Sequence, residues 1–192
     1  RLTKGEKGGI VENYLIEHCA PTLASLKTAN LFNYMYDSDA QLYAYIDELN
    51  QNLREKGVSV AVLRKYDHSA LIYVYREKKL RADLAQKGVH TFLRYFGYEG
   101  FSADEAIAVL QTRFGKEGEF PHEIGIFLGY PLGDVIGFIE NAGRNSKCSG
   151  CWKVYCNECE AVRLFAKFDK CKEVYKRLFH QGKTIGQLTV AI

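Results

Sequence analysis

Residues 58–75, VSVAVLRKYDHSALIYVY, decide the fold, because they predict two β-strands joined by a short turn. Val58, Val60 and Val62 alternate with smaller residues, a period typical of a strand with one buried face. After the turn DHS, the run ALIYVY at 70–75 is apolar throughout, as expected of a strand buried on both faces. The sequence therefore predicts an antiparallel hairpin.

Helical patterns bracket this hairpin. The clearest covers residues 38–56 and ends at Gly57, a residue that favours the end of a helix. Its apolar side chains recur at helical spacing: Leu42, Tyr45, Ile46, Leu49 and Leu53.

Further helices are expected along the rest of the chain. They cover residues 9–18, residues 77–96 with a break near Gly88, residues 103–114 behind a Ser102–Glu105 capping box, two short segments within 122–143, and residues 158–181. The first should stop before Pro21, or a new helix should open there. Residues 22–36 fit helix or strand equally. We expect an α+β fold, with a small, at least partly antiparallel sheet packed with helices in a single domain over 9–192, preceded by a flexible segment over 1–8.

Composition favours an ordinary globular protein. The chain has 192 residues, of which 47% are hydrophobic and 26% charged. No apolar run approaches the roughly 18 residues that cross a bilayer, and no secretory signal is visible. Six cysteines without such a signal indicate a reducing, cytoplasmic location, with free thiols or metal ligands rather than disulfides.

Charge is distributed unevenly although the net charge is only +3. Residues 144–183 carry ten Lys or Arg against four Asp or Glu, whereas residues 101–143 carry two against seven. The basic C-terminal helix could bind an acidic partner, which would make the protein a non-catalytic interaction module. A solvated helix face explains the same pattern more simply.

Four segments carry a family resemblance: EHCAPTLASLKTANLF at 17–32, FPHEIGIFLGYPLGDVIGFIENAG at 120–143, CWKVY at 151–155 and LTVAI at 188–192. Through them the chain resembles the bacterial proteins grouped as domain of unknown function 3793, found mostly in anaerobes. The resemblance implies a soluble, stand-alone cytosolic protein and no particular activity. It also implies that Cys19, His122, Cys151 and Trp152 belong to the family pattern, with Cys148, Cys156 and Cys159 added in this member.

The segment CSGCWKVYCNEC at 148–159 holds two C-x-x-C pairs, a spacing that suits zinc or iron. One ion bound by Cys148, Cys151, Cys156 and Cys159 requires the WKVY between the pairs to fold into a tight loop. An extended connector would separate the pairs by about 16 Å. Because Trp, Val and Tyr favour strands, we expect a strand whose Trp152 and Val154 enter the core, with the four-cysteine metal or redox site as the alternative.

Cys19 and His122 form a second candidate site. A helix beginning at Pro21 would place backbone amides near Cys19 and stabilise its thiolate. His122 is the best-placed base among five histidines, and Glu123, Asn30 or Asn33 could orient it. This Cys19–His122–Glu123 set predicts a thiol-dependent enzyme that transfers an acyl or related group on a small substrate. In a variant, Cys19, His122 and Cys151 would be three ligands of zinc or iron.

A helix-turn-helix spacing occurs at Gly125, Gly129 and Val135. DNA binding is nevertheless not expected, since residues 120–143 contain no Lys or Arg and carry Glu123, Asp134 and Glu140. A helical hairpin packed on the sheet is the simpler interpretation. No phosphate-binding loop, dinucleotide fingerprint or H-E-x-x-H motif occurs.

Overall fold

A computed structural model describes residues 4–100, 102–115 and 120–191, with side chains from Glu12 onward. The helices are α1 (Lys4–Leu23), α2 (Asp39–Leu53), α3 (Glu77–Leu84), α4 (Val89–Arg94), α5 (Ala103–Gly115), α6 (Ile124–Phe127), α7 (Leu132–Glu140), α8 (Glu158–His180) and α9 (Ile185–Leu188). The strands are β1 (Ala29–Met35), β2 (Val58–Lys65), β3 (Ser69–Arg76), β4 (Cys148–Ser149) and β5 (Lys153–Val154).

Strand β3 is the centre of a three-stranded sheet in the order β1-β3-β2, and both pairings are antiparallel. Ala29 of β1 lies opposite Tyr75, and Val60 of β2 lies opposite Val74. The predicted hairpin is confirmed, and the ambiguous segment 22–36 contains strand β1. Because β3 has a neighbour on each side and helices on both faces, all its positions from Ala70 to Tyr75 are apolar.

Two helical layers cover the sheet, so the predicted α+β class is confirmed. The first core packs α1, α2 and α9 on the face formed by Phe32, Tyr34, Val58, Val60, Ala70, Ile72 and Val74. The second packs α3 to α7 on the opposite face, which includes Ala29, Leu63, Tyr73 and Tyr75. Side chains of successive strand residues point to opposite faces, so one strand contributes residues to both cores.

Helix α1 continues through Pro21 to Leu23, so the expectation that it stops before Pro21, or that a new helix opens there, is wrong. Pro21 has no backbone N–H, and its ring crowds the preceding turn. Because Pro21 lies in the final turn of α1, few helical hydrogen bonds are lost. Leu15, Ile16 and Leu23 are fully buried against the sheet. This packing holds the last turn helical despite the proline. Residues 1–3 of the predicted flexible segment lie outside the described residues.

Other predicted boundaries agree with the structure. Gly57 follows a 3-10 turn after α2 with a φ of 75°, and Gly88 separates α3 from α4 with a φ of 87°. Both angles lie in the left-handed region that glycine enters without steric cost. Ser102 and Glu105 form the reciprocal contacts of a capping box before α5.

Arg76 is a fully buried cation at the end of β3. Its guanidinium donates hydrogen bonds to the carbonyls of Thr22, Leu23, Lys56 and Val190. Two of these acceptors are the last carbonyls of α1, where the helix dipole is negative and favours a cation. Arg76 therefore joins α1, the end of α2 and the C-terminal segment to the sheet.

Within the described residues, no helix is both long and apolar enough to span a bilayer.

Candidate functional site

Cys19 is fully buried in the core between α1 and the sheet. It lies in the last turns of α1, near the negative end of the helix dipole, which opposes a thiolate. Burial raises the pKa of its thiol well above the usual range. These surroundings argue against Cys19 as a nucleophile. The prediction assumed a helix that begins at Pro21, whose amides would stabilise the thiolate.

No contact among the described residues joins His122 or Glu123 to Cys19. His122 is exposed between the rings of Phe120 and Phe138, with ring centroids 5.8 and 5.0 Å away. The next helix residue, Ile124, belongs to the core on the opposite face of the sheet from Cys19. The sheet thus separates the predicted thiol from the predicted base, and equally separates the Cys19–His122–Cys151 ligand set.

Glu123 does not orient His122. Its carboxylate is fully buried, forms an ion pair with Arg113 and accepts a hydrogen bond from the Tyr98 hydroxyl at 3.3 Å. Arg113 belongs to α5, so this pair joins α5 to the start of α6. Glu123 has a structural role here, in place of the predicted catalytic one.

The cysteine-rich segment forms a small hairpin from β4 and β5, in which Cys148 lies opposite Val154. Trp152 is 9% exposed and Val154 is fully buried, so the expectation that both enter the core is confirmed. The strand itself covers only Lys153–Val154, shorter than predicted.

Asp134 of α7 holds the β4–β5 hairpin through hydrogen bonds. One carboxylate oxygen accepts the backbone amides of Tyr155 and Cys156 at 2.8 Å each, and the other accepts the indole N–H of Trp152 at 2.8 Å. A carboxylate that accepts several N–H bonds tolerates burial, which explains how Asp134 can be 3% exposed. Gly137 lets the hairpin lie close to α7, since a Cβ there would be 2.5 Å from Cγ of Tyr155.

The four hairpin sulfurs point to different surroundings. Cys156 packs against Gly133 of α7, whereas Cys151 lines a cavity beside Lys27 and Tyr130. Within the part of the chain that the structure describes, no group of three or more His, Cys, Asp or Glu side chains is arranged to hold a metal ion. The geometry therefore does not support the predicted zinc or iron site at Cys148, Cys151, Cys156 and Cys159.

Helices α6 and α7 form the helical hairpin expected of the helix-turn-helix spacing. Gly129 turns the chain with a φ of 75°, and a Cβ at Gly125 would be 2.6 Å from Cγ2 of Val135. Helix α6 has only four residues, and Val135 is buried in the second core. The small residues thus serve the packing of these helices on the sheet.

The basic helix α8 pairs its charges at the surface. Lys170 faces Glu173 at 3.4 Å, Lys172 faces Asp169 at 3.5 Å, and Lys176 faces Glu17 of α1 at 3.8 Å. Exposed pairs of this kind contribute about 0–1 kcal/mol each. They are typical of a solvated helix face, and they give no particular support to a docking site for an acidic partner.

A polar cavity of about 320 Å³ lies at the outer edge of β1, between the end of α1, α8 and the cysteine hairpin. We call it the lysine cavity. Its lining residues are Glu17, His18, Pro21, Lys27, Asn30, Leu31, Leu128, Tyr130, Cys151, Phe168 and Lys172.

Lys27 is the residue that distinguishes this cavity. It lies in the loop between α1 and β1 and is only 8% exposed. Its ammonium nitrogen lies 5.2 Å from the centroid of the Tyr130 ring. Among the described residues no hydrogen-bond acceptor or ion-pair partner contacts its ammonium nitrogen, which opens onto the cavity. A buried cation ordinarily has one or the other.

The pKa of Lys27 is lowered to about 8, chiefly by burial and to a small extent by the positive charge of Lys172. Thiolates at Cys151 and Cys19 would act in the opposite direction. Desolvation is the dominant cause, as expected of an ammonium held in a mostly enclosed site. The lysine cavity therefore holds an amine whose ordinary pKa of 10.5 is displaced towards neutrality.

Two further groups complete the polar wall. Lys172 reaches the cavity from α8 with a side chain that is 35% exposed. Asn30 accepts a hydrogen bond from the Thr22 hydroxyl at 2.7 Å through its amide oxygen, which leaves its amide nitrogen as a donor. These groups and Lys27 present cations and an N–H donor to whatever occupies the cavity.

Tyr130 divides the lysine cavity from a second, largely apolar cavity of about 320 Å³ that His122, Phe138 and Trp152 help to line. Its ring stacks on Trp152 with centroids 4.8 Å apart, and its hydroxyl donates to the carbonyl of Cys151 at 3.3 Å. His122 thus lines a cavity after all, although not one that contains Cys19.

Sequence reasoning missed Lys27. One signal was available: Lys27 is the only charged residue between Ala20 and Tyr36. An isolated cation in an otherwise uncharged run that forms a core strand is unusual. Its partners Tyr130, Cys151 and Lys172 are more than a hundred positions away, so no local pattern could reveal them.

The fold and cavity define an α+β protein with a candidate ligand site at the edge of its sheet. The chain belongs to the family described as "Protein of unknown function (DUF3793)", whose model matches residues 15–189. This match confirms the resemblance seen in the sequence. No curated protein and no solved structure matches the chain.

Proposed function

We propose that this protein binds a small organic anion in the lysine cavity, with the Lys27 ammonium as its principal partner. The observation that carries the proposal is the Lys27 ammonium, which belongs to a largely buried side chain, opens onto the cavity and has no acceptor or counter-ion among the described residues. Burial of an unpaired ammonium costs free energy. A bound carboxylate or phosphate would supply the missing charge and hydrogen bonds.

The rest of the cavity supports an anionic ligand. Lys172 adds a second cation and Asn30 an N–H donor, whereas Glu17 is 53% exposed and directed to Lys176. The cation–π contact with Tyr130 contributes about 0.5–2 kcal/mol and only partly offsets the desolvation of Lys27. The volume suits a small molecule rather than a peptide.

Isothermal titration calorimetry tests the proposal directly. Pyruvate, lactate and inorganic phosphate are titrated at pH 7 into the wild-type protein and into Lys27→Met and Lys170→Met variants. Lys170 is the matched control because it is an exposed lysine of α8 outside the cavity. We expect at least one probe to bind, a loss of roughly 10-fold or more in Lys27→Met, since a charged hydrogen bond contributes about 1.5–3 kcal/mol, and no change in Lys170→Met.

Two results would overturn the proposal. One is that none of the three probes binds the wild-type protein. The other is that Lys27→Met binds them as well as the wild type does.

A second candidate function keeps the thiol chemistry but places it at Cys151. Cys151 is half-buried and lines the same cavity as Lys27, so an attacking thiol there would lie beside a cation and the bound anion. In this version Cys151 transfers an acyl or related group on the bound anion. Iodoacetamide labelling tests it: Cys151 should be alkylated faster in the wild type than in Lys27→Met, and equal rates would reject it.

We also propose a cytoplasmic location. All six cysteines are free thiols, which supports a reducing compartment.

A further inference from the structure

We infer that Lys27 is a nucleophilic amine that forms an imine with a small aldehyde or ketone bearing a carboxylate or phosphate. The inference rests on the proposed function, since it uses the same cavity. It goes further in naming the reacting group and the class of substrate.

The position of Lys27 suits a nucleophile. Its backbone N–H donates to the carbonyl of Pro21 at 3.1 Å, and the hydroxyl of its neighbour Thr28 donates to Asp83 of α3. The loop is therefore tied to α1 and to α3 on either side of the lysine. The Tyr130 ring packs against the amine. A fixed backbone and an aromatic wall leave the nitrogen directed to the cavity.

The protonation state of Lys27 supports the same role. With a pKa of about 8, about a quarter of the amine is neutral at pH 7.5, against about one part in a thousand for an ordinary lysine. Desolvation and a neighbouring cation are the usual means of activating a lysine as a nucleophile. Both occur here, because Lys27 is buried and Lys172 lies near it.

Lys27 and Lys172 have different roles in the cavity. The Lys27 ammonium pairs with the anionic group of an arriving substrate, and Lys172 and the amide nitrogen of Asn30 hold that group when Lys27, in its neutral form, attacks the carbonyl carbon. A carbonyl compound without an anionic group would lack the first contact, and an anion without a carbonyl would lack the second. This division predicts a substrate with both groups separated by a few bonds, because the cavity is small.

The reaction balances without an oxidant or a reductant. The lone pair of the neutral Lys27 nitrogen attacks the carbonyl carbon, and the electrons of the C=O π bond move to oxygen. That oxygen gains a proton as the nitrogen loses one, which gives a carbinolamine. The hydroxyl then takes up a second proton and leaves as water while nitrogen supplies the electrons of the new C=N bond, and the resulting iminium loses its remaining N–H proton, which balances the one taken up. The net change is one amine and one carbonyl to one imine and one water.

Reductive trapping tests the inference. The protein is incubated with pyruvate and sodium cyanoborohydride, digested and analysed by mass spectrometry. We expect Lys27 to gain the mass of one pyruvate less one oxygen atom, at least 10-fold more than any exposed lysine. Lactate is the matched control, since it has the same carboxylate but no carbonyl, and it should give no adduct.

Variants separate the inference from its alternatives. Lys27→Arg keeps the cation but has no nucleophilic amine, so it should bind pyruvate and give no adduct. Cys151→Ser should form the adduct as the wild type does, because its thiol takes no part in imine formation.

The outcomes distinguish the anion-binding site from the imine. Calorimetric binding of pyruvate and lactate without an adduct would overturn the imine and leave the anion site intact. Absence of binding by every probe would overturn both. Adducts spread evenly over the surface lysines would also reject Lys27 as a special nucleophile.

Discussion

The ammonium of Lys27 lies 5.2 Å from the centroid of the Tyr130 ring, and that ring in turn stacks on Trp152 at 4.8 Å. This relationship joins the loop after α1 to the cysteine hairpin, which is more than a hundred residues later in the chain. Among the described contacts of the Lys27 ammonium, only the Tyr130 ring offsets the loss of hydration. We expect a site of this kind to lower the free energy of unfolding of the unliganded protein.

Replacement of Lys27 by methionine should therefore stabilise the protein at pH 7. The pKa falls from 10.5 to about 8, which corresponds to about 3 kcal/mol in favour of the neutral form. Because methionine carries no charge to desolvate, Lys27→Met should raise the free energy of unfolding by about 1–3 kcal/mol in urea denaturation. Lys170→Met should change it by less than about 0.5 kcal/mol.

The same substitution should alter the pH dependence of stability. Between pH 8 and 10.5 the lysine is neutral in the folded protein but charged in the unfolded chain, so the unfolded state binds more protons. Wild-type stability gains from this group as pH rises through that window, and the advantage of Lys27→Met should shrink. A Lys27→Met protein that is less stable than the wild type at pH 7 would contradict the assignment of a strained, uncompensated cation.

Arg76 should be among the most sensitive positions for stability. Arg76→Met would remove a donor from four carbonyls; those of Thr22 and Leu23 keep the backbone amides of Ser25 and Val190, but every hydrogen bond from the guanidinium would be lost. We expect a loss of about 3–5 kcal/mol in urea denaturation. Arg76→Lys, which keeps the charge with fewer donors, should give an intermediate loss.

The control for Arg76 is Arg81→Lys, since the Arg81 side chain is 65% exposed and should tolerate the change within about 0.5 kcal/mol. Equal stability of Arg76→Met and the wild type would show that the four carbonyl contacts do not hold these segments together.

Cysteine alkylation should follow exposure. Cys156 and Cys159 are exposed and should react first with iodoacetamide at pH 8. Cys19 and Cys171 are buried, and burial raises the pKa of the Cys171 thiol to about 11, so both should react only when the protein unfolds. Mass spectrometry with and without urea measures the order. Labelling of native Cys19 as fast as Cys156 would restore Cys19 as a candidate nucleophile.

Asp134 should hold the cysteine hairpin against α7. Asp134→Ala removes the acceptor of the Trp152 indole and of two backbone amides. Because Trp152 is the only tryptophan, its emission reports on this contact alone and should shift to the red as the ring becomes hydrated.

Glu140→Gln is the control for this experiment, since Glu140 is exposed at the end of the same helix. It should leave the emission unchanged. An unshifted spectrum in Asp134→Ala would mean that the apolar contacts of Trp152 with Tyr130 and Phe165 are enough to hold it.

The sequence by itself determined the β2–β3 hairpin, helix α2 and the class of fold. The alternation at 58–62, the apolar run at 70–75 and the helical stripe of α2 arise from local geometry, since periods of 2 and 3.6 residues record which side faces a core. Gly57 and Gly88 ended helices for an equally local reason, the freedom to adopt positive φ.

Only the tertiary structure decided the candidate site. Whether Cys19 is reactive depends on the sheet and helices that bury it, and its final helical turn follows from packing that overrides Pro21. Whether Lys27 is an ordinary surface lysine or a buried amine depends on Tyr130, Cys151 and Lys172, which the chain brings to it from far away. Burial and electrostatics are sums over spatial neighbours, and no local spacing in the sequence records them.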